Sequence, residues 1–200
     1  MLFNNKIILA SNSRSRSLIL KNNKINFIKI SPKINEENLK KKIIKKKLSA
    51  KTTSLFLAKE KAKSISEIKP KMLVVGSDTV IEFNNKIVNK AKTIKEAKNK
   101  LKKLSGKRHK IYSSAAIYYK KKLIWKQTQQ TTIKIRKISE REINKYLKQT
   151  NKNILLSVGC FQIEKDGPNI IEDIKGDFFN VMGFPLFPFL LFLKKFNIKR

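Results

Sequence analysis

The sequence predicts an α/β or α+β fold with a mixed sheet, and two observations carry that reading. Segments with the short apolar pattern of strands are interspersed with segments of helical period. In the middle of the chain two long strand candidates, Lys110–Tyr119 and Leu123–Lys137, follow one another directly, which adds antiparallel neighbours to the sheet. Apolar residues make up 40% and aromatic residues 8% of the 200, too many for a disordered chain even at a net charge of +33. Six Gly and five Pro give little punctuation and no linker, so residues 1–200 are expected to form one unit.

In chain order, Lys6–Ala10 is expected to be a buried strand. Ser11-Asn-Ser13 then supplies N-cap hydroxyls for a helix continuing over Ser17–Lys21. Ile25–Ile30 alternates apolar and polar as a half-buried strand does. Glu36–Lys47 is a lysine-rich helical stretch. Ser49–Ile68 is a stronger one, because Leu55, Ala58, Ala62 and Ile65 share a face and Pro70 stops it. Met72–Val75 reads as a short strand ending in Gly76-Ser-Asp-Thr79. Val80–Phe83 and Lys86–Val88 flank Asn84-Asn85, a hairpin pair. Thr93–Leu104 and Ser139–Gln149 are helices, each with a hydroxyl cap and a Glu three residues on. Ile170–Ile174 precedes Gly176-Asp177, and Phe178–Phe196 reads as a core helix with its entry turn. That last stretch has seven Phe, and a membrane or partner surface is its second reading.

The charge is lopsided in a particular way. Of 47 basic residues only six are Arg. Asn and Ile are abundant too, and all three of Lys, Asn and Ile have A/T-rich codons, so base composition accounts for much of the bias. Selection for polyanions is the other reading, although readers of nucleic acid lean on Arg. The longest oily run, Val181–Leu193, has 13 residues and two prolines, well short of the roughly 20 needed for a span. The N-terminus lacks the pattern of a secretory leader. The single cysteine, Cys160, excludes an intrachain disulfide and a multi-cysteine zinc site. These features suggest a cytoplasmic protein that does not act at a membrane and has no specific nucleic-acid partner.

Four places could carry chemistry. At Ser11-Asn-Ser-Arg-Ser-Arg16 a strand ends and a helix begins with hydroxyls and arginines, a setting that attracts phosphate. An ordinary cap with exposed arginines is the alternative. Asp78 closes a short apolar strand and could hold a divalent cation or take a proton from water; equally, it could be a turn aspartate bonding its own backbone. Lys61 borders the apolar stripe of its helix and Lys90 follows the Ile87-Val88 strand, but spacing alone selects neither. Glu164 and the Gly183–Leu186 turn form the fourth place. The one histidine, His109, fits a structural or surface residue better than a catalyst, and Cys160 fits a small core residue.

Taken together these segments resemble the Maf family of nucleotide pyrophosphatases. Ile8-Leu-Ala-Ser-Asn-Ser13 with Arg16 is similar to the family's LASxSxRR opening. Leu57–Ala62 resembles LAxxKA, Val75–Val80 resembles GADTVV, Lys86–Lys90 resembles GEILGK, and Leu104–His109 resembles LSGRTH. Gly159–Glu164 and Gly176–Leu186 resemble the closing AGAYxIQG and GDYxNVxGLPL segments, so the resemblance runs almost end to end.

The resemblance implies a two-lobed Maf/ITPase-like fold, with an elongated mixed sheet flanked by helices and a central cleft. It implies hydrolysis of nucleoside triphosphates between the α and β phosphorus atoms, on noncanonical or modified nucleotides. It also implies a divalent cation, Mg²⁺ or Mn²⁺, a homodimer as in many members, and a role in restraining cell division. By position it makes Asp78 the general base or metal-linked carboxylate. Ser11, Ser13, Arg16, Lys61 and Lys90 become phosphate ligands, Glu36 an acid near the metal, and Glu164 the Gln or Glu of the nucleotide pocket. Three departures stand out: Ser15 replaces the first Arg of the pair, Asn89-Lys90-Ala91 replaces Gly-Lys-Pro, and Lys165 replaces a Gly. Ser77 with Glu164 leans toward the branch that includes 7-methyl-GTP pyrophosphatases, whereas the Gln-bearing branch favours dTTP and UTP. The rival functions are a degenerate family member kept for binding and a lysine-rich nucleic-acid-binding module.

Overall fold

A computed structural model describes residues 6–196, apart from the side chains of residues 36 and 151–153. The elements are β1 (Ile7–Ala10), α1 (Arg14–Asn22), β2 (Phe27–Ile30), α2 (Glu36–Lys45), α3 (Ala50–Ser66), β3 (Val74–Phe83) and β4 (Lys86–Val88). They continue with α4 (Ile94–Leu104), β5 (Arg108–Tyr119), β6 (Lys122–Ile135), α5 (Glu140–Thr150), β7 (Ile171–Lys175), α6 (Phe178–Met182) and α7 (Leu186–Lys195). The helices start where the sequence offers caps. Ser13, Asn35, Ser49, Thr93 and Asp177 each accept a first-turn backbone N–H. Ser139 and Glu142 close a reciprocal capping box at α5.

The strands form one mixed sheet in the order β2-β1-β3-β5-β6-β7, with β4 on the free part of β3. The β2-β1-β3 portion is parallel, because helices carry each crossover; the other pairs are antiparallel. Asn84 and Asn85 turn the β3–β4 hairpin at φ 50° and 59°, a left-handed pair that asparagine tolerates. Lys120 and Lys121 make the same kind of turn between β5 and β6.

β3 corrects the sequence reading. A short strand with a terminal turn was expected, followed by a separate strand, but β3 runs unbroken for ten residues. β5 pairs with it from Val74 to Glu82, and this continuous ladder outweighs the weak strand preference of Gly76 and Asp78. Gly76 is needed here for contact: a Cβ on it would run into the Ala58 carbonyl oxygen and the Ala62 nitrogen of α3. Asp78 therefore lies in mid-strand, opposite Ser114, and is neither a strand terminus nor a turn aspartate.

Ala62 and Ile65 of α3 cluster with Ile8 and Val74 on one face of the sheet; on the other face two apolar cores flank a polar waist. One gathers Ile7, Leu20, Val75, Ile117, Phe184 and Phe189 under α1 and α7. The other gathers Ile81, Leu101, Ile111, Ile133 and Ile143 under α4 and α5. Along β3 the side chains facing these cores are Val75, Ser77, Thr79 and Ile81, so two hydroxyls separate the two cores. Ser77, Ser113, Thr131 and Asn180 of this waist are fully buried, and each is bonded. Buried polar groups survive only when satisfied, and these satisfy one another.

The Phe-rich tail is two helices, α6 and α7, because Gly183 adopts φ 107° and Pro185 follows. Phe184, Phe189 and Phe192 are core, whereas Phe178 and Phe187 are exposed. Among the described residues no helix is long and apolar enough to cross a membrane. His109 is buried against Phe161, and Cys160 is a buried free thiol.

Candidate active site

The site forms where the sheet has a gap. β1 ends at Ala10, paired with Gly76, and β4 joins β3 only from Ile81 onward. Between these points residues 77–80 keep β5 on one edge, and among the described residues no strand pairs with the other edge. Ligands collect beyond the C-terminal ends of strands in such sheets, and here the strand that ends is β1.

Asp78 sits in this gap on the face covered by α3. The α3 stripe of Ala58 and Ala62 packs down on Gly76, and Lys61 at its border forms an ion pair with Asp78 Oδ1. The two side chains are 14% and 19% exposed, half-sheltered and still reachable. Below them Ser54 Oγ lies 2.7 Å from Ser114 Oγ, which lies 2.7 Å from Thr128 Oγ1, a hydroxyl row that keeps the waist polar on this face too.

Arg16 occupies the opposite face. It is buried, and its guanidinium donates from Nε to the Gly183 carbonyl (2.8 Å), from Nη1 to Ser11 Oγ (3.2 Å) and from Nη2 to Thr79 Oγ1 (2.9 Å). A guanidinium has five N–H groups, so one on each Nη is left for a ligand. Burial pulls the Arg16 pKa down, and the negative charge of Asp78 pulls it back up. The second partner of Thr79 can be oriented. Ser113 gives its only hydroxyl proton to the Asn180 carbonyl (2.7 Å), so Thr79 donates to Ser113 Oγ (3.0 Å) while it accepts from Arg16. The Gly183 carbonyl also takes Ser77 Oγ at 3.1 Å.

The serines of the β1–α1 loop act first as acceptors. Ser11 Oγ takes the Ser13 N–H and Arg16 Nη1, and Ser13 Oγ caps α1 through the Arg16 N–H. Each keeps its own proton to give to an anion, beside the unpaired N–H groups of the first helical turn. Ser15 reaches across to the 161–170 loop and donates to Glu164 Oε1 at 2.5 Å. The contacts thus bring Ser11 and Arg16 to Thr79 on one face of the gap and Lys61 to Asp78 on the other, while Ser13 caps α1 and Glu164 is joined to that helix through Ser15.

Lys90 is exposed two residues past β4 and lines a cavity of about 600 Å³ between the β3–β4 hairpin and α4. Glu36 begins α2, but its side chain lies outside the described residues. The donor set fits a divalent ion held chiefly by phosphate. Lys61 holds Asp78 Oδ1, so Oδ2 is the oxygen left for a ligand, and no cluster of three acidic, His or Cys groups exists among the described residues. Mg²⁺ commonly needs one or two carboxylates, with phosphate and water completing its shell.

Sequence reasoning marked the Gly76–Thr79 segment and the Gly183–Leu186 turn but gave Ser77, Thr79 and the Gly183 carbonyl no part in holding Arg16, and it missed Ser113 and Asn180 of the waist. One sign was available: hydroxyl residues at the centre of otherwise apolar strands, Ser77 and Thr79 in β3 and Ser113-Ser114 in β5.

Comparison with known proteins agrees with this architecture. The family model described as Maf-like protein matches residues 6–196. The chain belongs to the Maf family. It is 36% identical over 192 residues to the 7-methyl-GTP pyrophosphatase of Bartonella henselae, covering 96% of each chain. It is 30% identical over 188 residues to the nucleoside triphosphate pyrophosphatase of Caulobacter vibrioides, covering 94% of each. To the nucleoside triphosphate pyrophosphatase of Pelagibacter ubique it is 33% identical over 181 residues, covering 90% of this chain and 93% of that one.

Proposed function

We propose that this protein hydrolyses nucleoside triphosphates at the α–β anhydride bond, releasing a nucleoside monophosphate and diphosphate. The observation that carries this is the placement of one carboxylate, Asp78, in the sheet gap with Lys61 on one side and Arg16 behind it. Hydrolysis spreads negative charge over the phosphoryl oxygens, and fixed cations stabilise that charge more than they stabilise the ground state. The names of the Maf relatives support the same reaction.

Each residue has a part. The two unspent N–H groups of Arg16 and the hydroxyls of Ser11 and Ser13 hold phosphate oxygens. Lys61 neutralises the triphosphate at the gap, and the family resemblance gives Lys90, which lines the cavity beside α4, the same part. Asp78 orients the attacking water and accepts its proton as the new P–O bond forms and the bridging P–O bond breaks. Asp78, through Oδ2, would help to hold a Mg²⁺ or Mn²⁺ ion, and the family resemblance supplies Glu36 as the second acid; such an ion would contribute charge neutralisation and a lowered pKa of water.

Glu164, fixed by Ser15, gives the nucleotide pocket an anionic acceptor. A carboxylate suits a base edge with two N–H donors and a positive ring, so 7-methyl-GTP heads the substrate series, ahead of dTTP and UTP. The test is a screen of purified protein against nucleoside triphosphates with Mg²⁺ or Mn²⁺, reading diphosphate. The reading expects diphosphate and monophosphate in equal amounts. Orthophosphate as the first product, or no turnover of any triphosphate, overturns it. Steep salt-dependent binding of nucleic acid without turnover would favour the lysine-rich binding module instead.

A further inference from the structure

We propose that Lys61 keeps the site from holding a divalent cation until the triphosphate arrives, so that metal enters on the nucleotide and is not resident in the free protein. The inference rests on the hydrolytic reading above and deepens it.

The electrostatics point this way. Asp78 is the carboxylate of the gap, and the Lys61 ammonium is already seated on its Oδ1. The Arg16 guanidinium acts on Asp78 from the other face, and buried charges of this kind are poorly screened. The carboxylate is thus in contact with one cation and within the field of a second on the other face, and a third, doubly charged one would meet net repulsion. The whole chain adds to it with a formal charge of +33. Glu164, the acid bonded to α1, has one oxygen engaged by Ser15.

A triphosphate reverses this balance. It carries nearly four negative charges of its own, and its oxygens are better partners for a lysine than one shared carboxylate oxygen. Lys61 has the means to change partner: its side chain is 19% exposed, on a flexible four-carbon stem, at the rim of the gap. Moving Lys61 to the phosphate frees Asp78 at the moment a phosphate-borne cation comes within reach. The free protein is in this way spared from collecting metal without substrate.

The test is equilibrium dialysis of the full-length protein against Mn²⁺, with and without an α,β-methylene guanosine triphosphate, which cannot be cleaved at that bond. Wild type should retain little Mn²⁺ alone and about one ion per chain with the analogue. Lys61→Gln should retain Mn²⁺ without nucleotide, about tenfold more tightly than wild type or better, because removing a contacting unit charge is worth at least that. Lys61→Arg keeps the charge and should behave as wild type. Adding Asp78→Asn to Lys61→Gln should abolish the gain, which locates the ion.

Wild type that takes up Mn²⁺ equally with and without the analogue overturns the inference, as does a Lys61→Gln variant with no gain or a gain that survives Asp78→Asn. None of these outcomes touches the hydrolytic reading. That reading falls separately, if authentic triphosphates yield no diphosphate from a protein whose Mn²⁺ uptake follows the expected pattern. Circular dichroism of each variant establishes that it is folded.

Discussion

Replacing Thr79 by Val tests the waist and the site in one variant. The side chain keeps its shape and loses a hydroxyl that accepts from Arg16 Nη2 at 2.9 Å and donates to Ser113 Oγ at 3.0 Å. Arg16 is largely buried, so the stranded Nη2 N–H is poorly hydrated. A hydrogen bond to a charged group contributes about 1.5–3 kcal/mol. For a domain of this size each kcal/mol moves Tm by about 2–4 °C, so the variant should melt about 3–12 °C below wild type. The Gly183 carbonyl and Ser11 still hold Nε and Nη1, so Arg16 stays in the gap but loses its fixed angle. Misplacement of a phosphate ligand by a fraction of an ångström costs kcat/KM about 10- to 100-fold. Thr79→Ser, which keeps the hydroxyl, should recover most of both losses. Thermal denaturation by circular dichroism and steady-state diphosphate release measure the two effects. A Thr79→Val protein with wild-type Tm and wild-type kcat/KM refutes the assignment of Thr79 as the residue that positions Arg16.

Gly76→Ala should lower stability by about 1–3 kcal/mol or more, since the added methyl meets the backbone of α3 and cannot be relieved by a rotamer change; an unchanged urea midpoint would show that α3 and β3 are not so close. His109 gives a pH prediction. Its ring is buried, both nitrogens lack a partner, and burial lowers its pKa from 6.5 to about 4. The unfolded chain therefore binds a proton that the fold resists, and stability present above pH 6.5 is lost as pH falls toward 4, by about 3 kcal/mol at most. His109→Phe should flatten that limb and gain stability at neutral pH, where two unmet polar atoms disappear; an acid limb of unchanged steepness between pH 6.5 and 4 contradicts the assignment.

Much of the fold could be read from the chain because its signals are local. Caps at Ser13, Thr93 and Ser139, the Asn84-Asn85 turn and the Ala58–Ala62 stripe each act within a few residues. β3 was misread because its continuity is not local. Gly76 and Asp78 look like a turn by preference, and pairing with distant strands holds them extended: β5, more than thirty residues on, for both, and β1 for Gly76 as well. The same holds for the site. Asp78 and Arg16 were found from their residue types and the family resemblance. The bonds that fix Arg16 span 63 residues to Thr79 and 167 to Gly183, distances no sequence pattern reports. Arg16 also departs from one of the two sequence alternatives, the exposed cap arginine. It is buried, and three of its five N–H groups are spent on internal bonds.

The central claim is that Asp78, held in the sheet gap between Lys61 and Arg16, drives cleavage of a nucleotide anhydride. The direct measurement is diphosphate release from 7-methyl-GTP and the common triphosphates by Asp78→Asn beside wild type, both folded by circular dichroism. Loss of a positioned proton acceptor predicts a fall in kcat of about 10²- to 10⁴-fold. Diphosphate release by the folded variant at the wild-type rate would contradict the account.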